Sequence, residues 1–199
     1  MSPPTEHERR FAEYLRKLAD DENRAALAAL RRGLGKRPGE VSDPCPYVDP
    51  WLAPNASAGD EEAHYLVAAL FGLHQHYWPA GDGERGPTNL GASLATLQES
   101  GSKAAVERRF IALLNAHRED MPQHLRHLVG LLKAKDVAVD WAQLLHDVRG
   151  WDHPRRAVQR EWARAFWRQA SAGEASPALE GSPSGATNGL GEGQRPAPR

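Results

Sequence analysis

Arginine side chains are the groups in this chain whose type and spacing suggest chemistry. In the run from Val106 to Val129 they lie off the apolar positions, which recur at helical spacing. The run contains no serine, threonine or cysteine nucleophile and no set of metal ligands. Because guanidinium groups fork onto phosphate oxygens, the pattern favours a surface that holds a polyanion over a pocket that performs a reaction. The arginines concerned are Arg108, Arg109, Arg118 and Arg126.

A hairpin of two helices is predicted to position these arginines. The second helix is expected to begin with Asp120 as its N-cap and Pro122 in its first turn. Each helix has one apolar stripe to bury, so the arginines are expected on the solvated sides. The stripes are Val106, Phe110, Leu113 and Leu114 in the first helix and Leu125, Leu128, Val129 and Leu132 in the second.

Basic residues also recur outside the four hairpin arginines. Lys133 follows Arg126 by seven positions, so both lie on one side of a helix, with Gly130 leaving that row open. Any single cluster is also what a solvated helix face shows, but four clusters together favour an anion-binding surface. The remaining clusters are Arg31, Arg32, Lys36 and Arg37 near the N-terminus and Arg156, Arg160, Arg164 and Arg168 in the last helix.

The net charge of −1 conceals an asymmetry along the chain. Residues 103–170 carry 13 basic and 8 acidic side chains, whereas the rest of the chain carries 12 basic and 18 acidic ones. The basic half of a nearly neutral chain therefore predicts a localised anion-binding face.

The predicted fold class is all-α, a helical bundle, because no run of alternating apolar and polar residues is long enough to predict a strand. Helices are expected at 6–19, 22–34, 60–77, just after Asn89, through the hairpin, at 140–149 and at 154–169. Two long loops and the charge shift favour an N-terminal helical bundle at 1–87 and a C-terminal basic bundle at 88–170, although one continuous bundle is also compatible. Residues 171–199 are rich in Gly, Pro and Ser and are predicted to be a disordered tail.

Composition and the N-terminal sequence predict where the protein is located and which cofactors it needs. No apolar run is long enough to span a membrane, and the first residues lack the apolar core of a secretory signal. Cys45 is the only cysteine, so intramolecular disulfides are excluded and a cytoplasmic location is expected. No cofactor is predicted, because no glycine-rich phosphate loop is present.

A metal-dependent enzyme is one alternative function that the residues suggest. Glu61 and His64 form one Glu-x-x-His pair on a predicted helix, the type of pair that di-iron bundles use. Such a centre needs a second pair and two further glutamates, and no second pair occurs in the sequence. We therefore expect no metal site and no catalytic activity.

The hairpin sequence resembles the CasB family, the small subunit of the type I-E CRISPR surveillance complex called Cascade. The resemblance covers most of residues 25–167 in matching order. It rests on VERRFIALLNAHREDMPQHLRHLV at 106–129 and on the segments AALRRGLG (28–35), PYVDPWLA (46–53), EEAHYLVAAL (61–70), VDWAQLLHDVRGW (139–151) and HPRRAVQREWARAFW (153–167).

The resemblance implies a non-catalytic, all-helical protein that stabilises an R-loop by holding the displaced DNA strand on a basic face. It also implies partners: other Cascade subunits with guide RNA, and a second copy of the chain arranged head-to-tail. One departure is that Ala92 or Ser93 stands where related sequences often have arginine. The family's basic positions match Arg31, Arg32, Arg109, Arg118 and Arg126, and Arg108 and Arg156 match positions that are usually basic.

The residues themselves leave a second function open. A helical scaffold whose basic face docks acidic protein partners, without direct nucleic-acid contact, would show the same arginine pattern. Salt-dependent DNA binding distinguishes the two functions, because only the first requires neutralised phosphates.

Overall fold

Helices make up the regular secondary structure of the described residues, which are 2–78, 88–97 and 103–174 of a computed structural model. Outside the helices, an isolated β-bridge pairs Tyr77 with Val139. The all-α prediction is confirmed for this part of the chain. The helices are α1 (Glu6–Asp20), α2 (Arg24–Arg32), α3 (Cys45–Val48), a 3₁₀ turn (Asp49–Trp51), α4 (Ala58–Leu73), α5 (Leu90–Ala95), α6 (Lys103–Asn115), α7 (Met121–Ala134), α8 (Trp141–Arg149) and α9 (Ala157–Glu174).

The hairpin prediction holds for both helices and for both apolar stripes. All eight stripe residues, four in α6 and four in α7, are buried. One detail is wrong: Asp120 occupies the N-cap position of α7, but its side chain makes no capping hydrogen bond there. Its backbone is already helical, whereas a capping side chain normally extends from β-region backbone.

The start and end of α4 also differ from the prediction. Ser57, and not Asp60, caps this helix: its hydroxyl accepts a hydrogen bond from the Asp60 N–H at 3.1 Å. The helix ends at Leu73, because His74 is extended and its Nε2 lies 2.7 Å from the Val137 carbonyl oxygen. Asn89, the residue before the predicted short helix, caps α5, and Asp140 caps α8; both side chains accept a backbone N–H.

Buried apolar residues from α1 to α9 form one continuous cluster. Within it α4 packs against α2, α7 and α8, and α8 also packs against α1. The boundary predicted near residue 87 falls in 79–87, outside the described residues, so the division into two bundles stays a prediction. Helix α9 continues to Glu174, past the predicted end of the body, and the tail from 175 onward is likewise outside the described residues. None of the helices in the described ranges could cross a membrane.

Helices α5 and α9 approach closely enough that a glycine is required between them. A Cβ atom on Gly91 would lie 2.1 Å from the Trp162 carbonyl oxygen, which is backbone and cannot rotate away. Gly130 on α7 is the opposite case, since a Cβ there meets nothing within 4 Å. This observation agrees with the prediction that Gly130 leaves its surface open.

We expect Gly91→Ala to lower the free energy of unfolding by about 1–3 kcal/mol or more, because the backbones of α5 and α9 must separate. The control Gly130→Ala should raise it by up to about 1 kcal/mol, since alanine is the better helix former and the site is open. Urea unfolding followed by circular dichroism measures both. Equal effects of the two substitutions would contradict the close approach at Gly91.

A buried carboxylate joins α8 to α9. Trp162 donates its indole N–H to Asp147 Oδ2 at 2.6 Å, and Gln143 donates to Asp147 Oδ1 at 2.8 Å. Burial raises the pKa of Asp147 to about 6, although these two hydrogen bonds lower it. The folded state therefore retains a proton at pH values where the unfolded state, with a pKa near 3.8, has lost it.

The stability contributed by this proton should be full below pH 4 and should disappear as the pH rises towards 6. The change is roughly 3 kcal/mol at most, from 1.36 kcal/mol per pKa unit. We expect Asp147→Asn to flatten the dependence of the free energy of unfolding on pH across this window, relative to wild type. Asp21→Asn, at an exposed position, is the control. A wild-type slope that persists in Asp147→Asn would show that the proton is held elsewhere.

Candidate nucleic-acid interface

Two of the predicted basic clusters approach each other where the loop after α2 passes α7. Helix α2 packs closely on α4, since a Cβ on Gly72 of α4 would lie 2.8 Å from the Arg31 backbone nitrogen. The loop after α2 reaches α7, since a Cβ on Gly35 in this loop would lie 3.6 Å from Arg126 Nη1 on α7. Gly35 has a φ of +73°, a conformation that glycine adopts without steric cost. The α2–α7 basic surface is defined here as Arg31, Arg32, Lys36, Arg37, Arg126 and Lys133.

All six side chains of this surface are exposed, but two of them are paired. Arg32 Nη1 lies 2.5 Å from Asp43 Oδ1, and Lys36 Nζ lies 3.7 Å from Glu40 Oε2. The other four cations make no ion pair with the described residues. Unpaired exposed cations can neutralise a polyanion without first losing a protein partner. These four are Arg31, Arg37, Arg126 and Lys133.

Arg108 and Arg109 lie on the exposed side of α6, as predicted. Neither forms an ion pair with the described residues. They precede Phe110, which is fully buried, so the α6 backbone holds them at the surface while its next residue anchors the helix. Both are therefore available to an external anion.

Arg118 is placed differently from the prediction. It exposes only 21% of its side chain and is held by four acceptors, so the expectation of a solvated side is wrong for this residue. Its neighbours come from α4, from the end of α8 and from the loop after it, which could not be anticipated from spacing within the hairpin. The acceptors are the Gly59 carbonyl (2.8 Å), the Val148 carbonyl (3.3 Å), Asp152 Oδ2 (3.3 Å) and Glu62 Oε2 (3.7 Å).

Arg156 also makes an internal contact. Its Nη2 donates a hydrogen bond to the Leu114 carbonyl oxygen near the end of α6, where helical carbonyls lack partners within the helix. Its backbone has a φ of +48°, an uncommon conformation for a residue other than glycine. The residue is exposed overall, but one edge of its guanidinium is already used.

Arg149 forms an ion-pair network that the sequence analysis did not predict. From α8 its Nη1 lies 2.6 Å from Glu8 Oε1 on α1, and its Nε lies 2.7 Å from Asp60 Oδ1 on α4. Glu8 is completely buried and also has His146 Nδ1 at 3.0 Å. Nothing in the local sequence indicates this network, because its members are up to 141 positions apart.

The pKa values of both carboxylates in this network, Glu8 and Asp60, are lowered. Burial alone would raise the pKa of Glu8, but hydrogen bonds from Thr5 and Arg149 and the charge of His146 outweigh it, and the pKa lies below 4.5. The Arg149 hydrogen bond is the main cause that lowers the pKa of Asp60. Both carboxylates are therefore held in the charged form that Arg149 requires.

Glu61 and His64 form the Glu-x-x-His pair considered above as a metal site. His64 is buried, its Nδ1 lies 2.7 Å from the Asp60 carbonyl oxygen, and its ring packs on Phe11. Burial lowers its pKa, which favours the neutral ring. Within the described ranges no group of three or more metal-ligating side chains comes together around Glu61 or elsewhere.

Proteins with known sequences and structures resemble this chain over most of its length. A CRISPR-associated protein Cse2 from Thermus thermophilus is 39% identical over 160 residues, which are 79% of this chain and 88% of that protein. The crystal structure of M. ruber CasB is 32% identical with a TM-score of 0.71, covering 85% of this chain and 97% of that one. A chain of a CRISPR RNA-guided surveillance complex is 28% identical with a TM-score of 0.72, covering 84% and 95%.

The fold and these relatives place the chain among the CRISPR-associated proteins. The family model for CRISPR-associated protein Cse2 matches residues 26–167, and the chain belongs to that family. The resemblance seen in the sequence is thereby confirmed. The match begins at the third residue of α2, includes α3 to α8 and ends within α9, one residue before Arg168.

The contrast between Arg118 and Arg126 is directly testable. We expect Arg118→Ala to lower the free energy of unfolding by about 1–3 kcal/mol, since it leaves two carbonyls and two carboxylates without their charged donor. The matched control Arg126→Ala removes the same charge from an exposed position and should change it by less than about 0.5 kcal/mol. Urea unfolding of both variants checks this. Equal stability would mean that Arg118 is not a structural clamp.

Proposed function

We propose that the chain is a non-catalytic, nucleic-acid-binding subunit of an RNA-guided CRISPR surveillance complex. Its basic face holds the displaced DNA strand and so stabilises the R-loop. The observation that carries the proposal is the α2–α7 basic surface, where four exposed cations lack an ion-pair partner among the described residues. Membership of the Cse2 family and the similarity to a chain of an RNA-guided surveillance complex support the setting.

The residues proposed to contact DNA are exposed cations of the α2–α7 basic surface and of α6. Arg31, Arg126 and Lys133 act from the α2–α7 basic surface, and Arg108 and Arg109 act from α6. Arg32 contributes after exchanging Asp43 for a phosphate. Arg118 and Arg156, which the sequence also predicted as contacts, act mainly by holding the α6–α7 turn and the end of α6 in place.

The mechanism is electrostatic and does not read sequence. Each cation that neutralises a phosphate releases a condensed counterion, and the released ions supply most of the free energy of binding. Exchange of a DNA duplex for an RNA–DNA duplex is close to balance, so a few contacts to the displaced strand shift it. The same proposal includes the other subunits with guide RNA, a second copy arranged head-to-tail and a cytoplasmic location.

A salt titration tests the proposal. We expect the full chain to bind a single-stranded oligonucleotide with an affinity that falls as salt rises, by about 0.7 log units per log unit of salt for each contact. Arg31→Ala combined with Arg126→Ala should flatten that slope by roughly 1.4 for all sequences alike. Both side chains are exposed, so circular dichroism should show an unchanged fold.

The control is Lys17→Ala combined with Arg24→Ala, which removes two exposed cations near the turn between α1 and α2, at the other end of α2 from Arg31. It should leave the slope near the wild-type value. Equal flattening by both double variants would mean that net charge alone acts and that the basic surface is not the site. Absence of any DNA binding, with normal assembly into a complex, would favour the protein-docking scaffold.

A further inference from the structure

We propose that Trp167 on α9 is a stacking platform for an unpaired base of the strand that the basic face holds. The inference rests on the proposed function and extends it, because it adds a contact to bases where the electrostatic mechanism has contacts only to phosphates. It assigns a role to the last helix, whose arginine row the α2–α7 basic surface does not include.

The exposure of Trp167 is unusual for a tryptophan of this chain. Its exposed fraction is 38%, whereas Trp141, Trp151 and Trp162 are 3%, 2% and 0% exposed. Among the described residues the other large hydrophobic side chain with this exposure is Ile111, at 40%. An aromatic ring presented to solvent is a group on which any base can stack, since every base has a π-face.

Two buried aromatic neighbours restrict the movement of the Trp167 ring. Its centroid lies 5.8 Å from that of Phe110 on α6 and 5.2 Å from that of Phe166, both of which are fully buried. Phe110 and Phe166 themselves pack at 4.4 Å. A ring restricted in this way loses little conformational freedom when a base stacks on it.

Three arginines of α9 share a helix face with the exposed ring. With 3.6 residues per turn, Arg160, Arg164, Trp167 and Arg168 lie on one face of α9, within about 100° of arc. All three arginines are exposed, and Arg164 has only a weak pair with Glu161, at 3.9 Å. A cationic track beside a stacking ring is the combination found in sites for single-stranded nucleic acid. A docking surface for apolar protein would be expected to have fewer charges around its centre.

Phe110 links the Trp167 face of α9 to α6, which carries cations proposed to contact DNA. Arg108 and Arg109 are the two residues before Phe110, and the Phe110 ring contacts the Trp167 ring. Helix α6, which carries Arg108 and Arg109 on its exposed side, therefore packs against the part of α9 that carries Trp167. One strand can pass from the α6 cations to Trp167, with its phosphates on the arginines and one base on the ring.

The probes are oligothymidylate and an abasic oligonucleotide of the same length, which has the same phosphates but no bases. We expect the full wild-type chain to bind oligothymidylate more tightly, by roughly fivefold or more, which is the lower end of measured base–aromatic stacking. Trp167→Ala should remove this preference and leave the salt dependence unchanged. Trp167→Phe should retain part of the preference, and Ile111→Ala should retain all of it.

The outcomes separate this inference from the proposed function. Equal affinity of the wild-type chain for both probes would overturn stacking while leaving phosphate binding intact. No binding of either probe would overturn both. If Trp167→Ala kept the preference for bases but failed to join the complex, the ring would be a protein contact and the inference would be wrong. Circular dichroism of each variant controls for folding.

Discussion

The fold depends on two arginines that fasten the first turn of α4 to the C-terminal half of the chain. Arg149 joins Asp60 to the buried carboxylate of Glu8, and Arg118 joins Gly59 and Glu62 to α8 and the loop that follows it. Removing Arg149 would leave the fully buried Glu8 carboxylate without its closest cation; the cost, about 3–5 kcal/mol for a fully buried pair, is smaller here because Arg149 is 34% exposed. Apolar packing supplies the core, but these contacts fix how α1, α4 and α8 meet.

This arrangement divides the arginines into two groups with different physical tasks. An arginine that satisfies backbone carbonyls and carboxylates, as Arg118 does, has few free donors for an external phosphate. An exposed arginine with no ion pair among the described residues, such as Arg126, keeps its donors for an external phosphate. Because the first group sets the positions of the helices, it also sets the spacing of the second. A basic surface can bind a polymer of fixed phosphate spacing only if its cations are held in register.

Helical periodicity was sufficient to predict the hairpin, since the buried stripes from Val106 to Leu132 depend on local spacing alone. The same reasoning placed Arg118 in solvent, because its partners at Gly59 and Val148 are 59 and 30 positions away. Arg149 was missed for the same reason. Helix α4 begins before the predicted residue 60 because Ser57 and Asp60 are both good N-cap residues, and Ser57 takes the cap while it donates its hydroxyl to Asp60 Oδ2. The exposure of Trp167, in contrast, agrees with local spacing, which places it on the arginine face of α9 and away from the buried Trp162.

The proposed function requires weak contacts that act together. A strand held only by phosphates slides and exchanges readily, and its hold weakens steeply with salt. A stacked base depends little on salt, so a ring at Trp167 would retain the strand under conditions where the cations alone release it. The ring also discriminates: a base in a duplex is already stacked on its neighbours, whereas a displaced strand offers bases that have lost their partners. The combination of fixed cations and one fixed ring therefore favours single-stranded over double-stranded DNA without any contact that reads sequence.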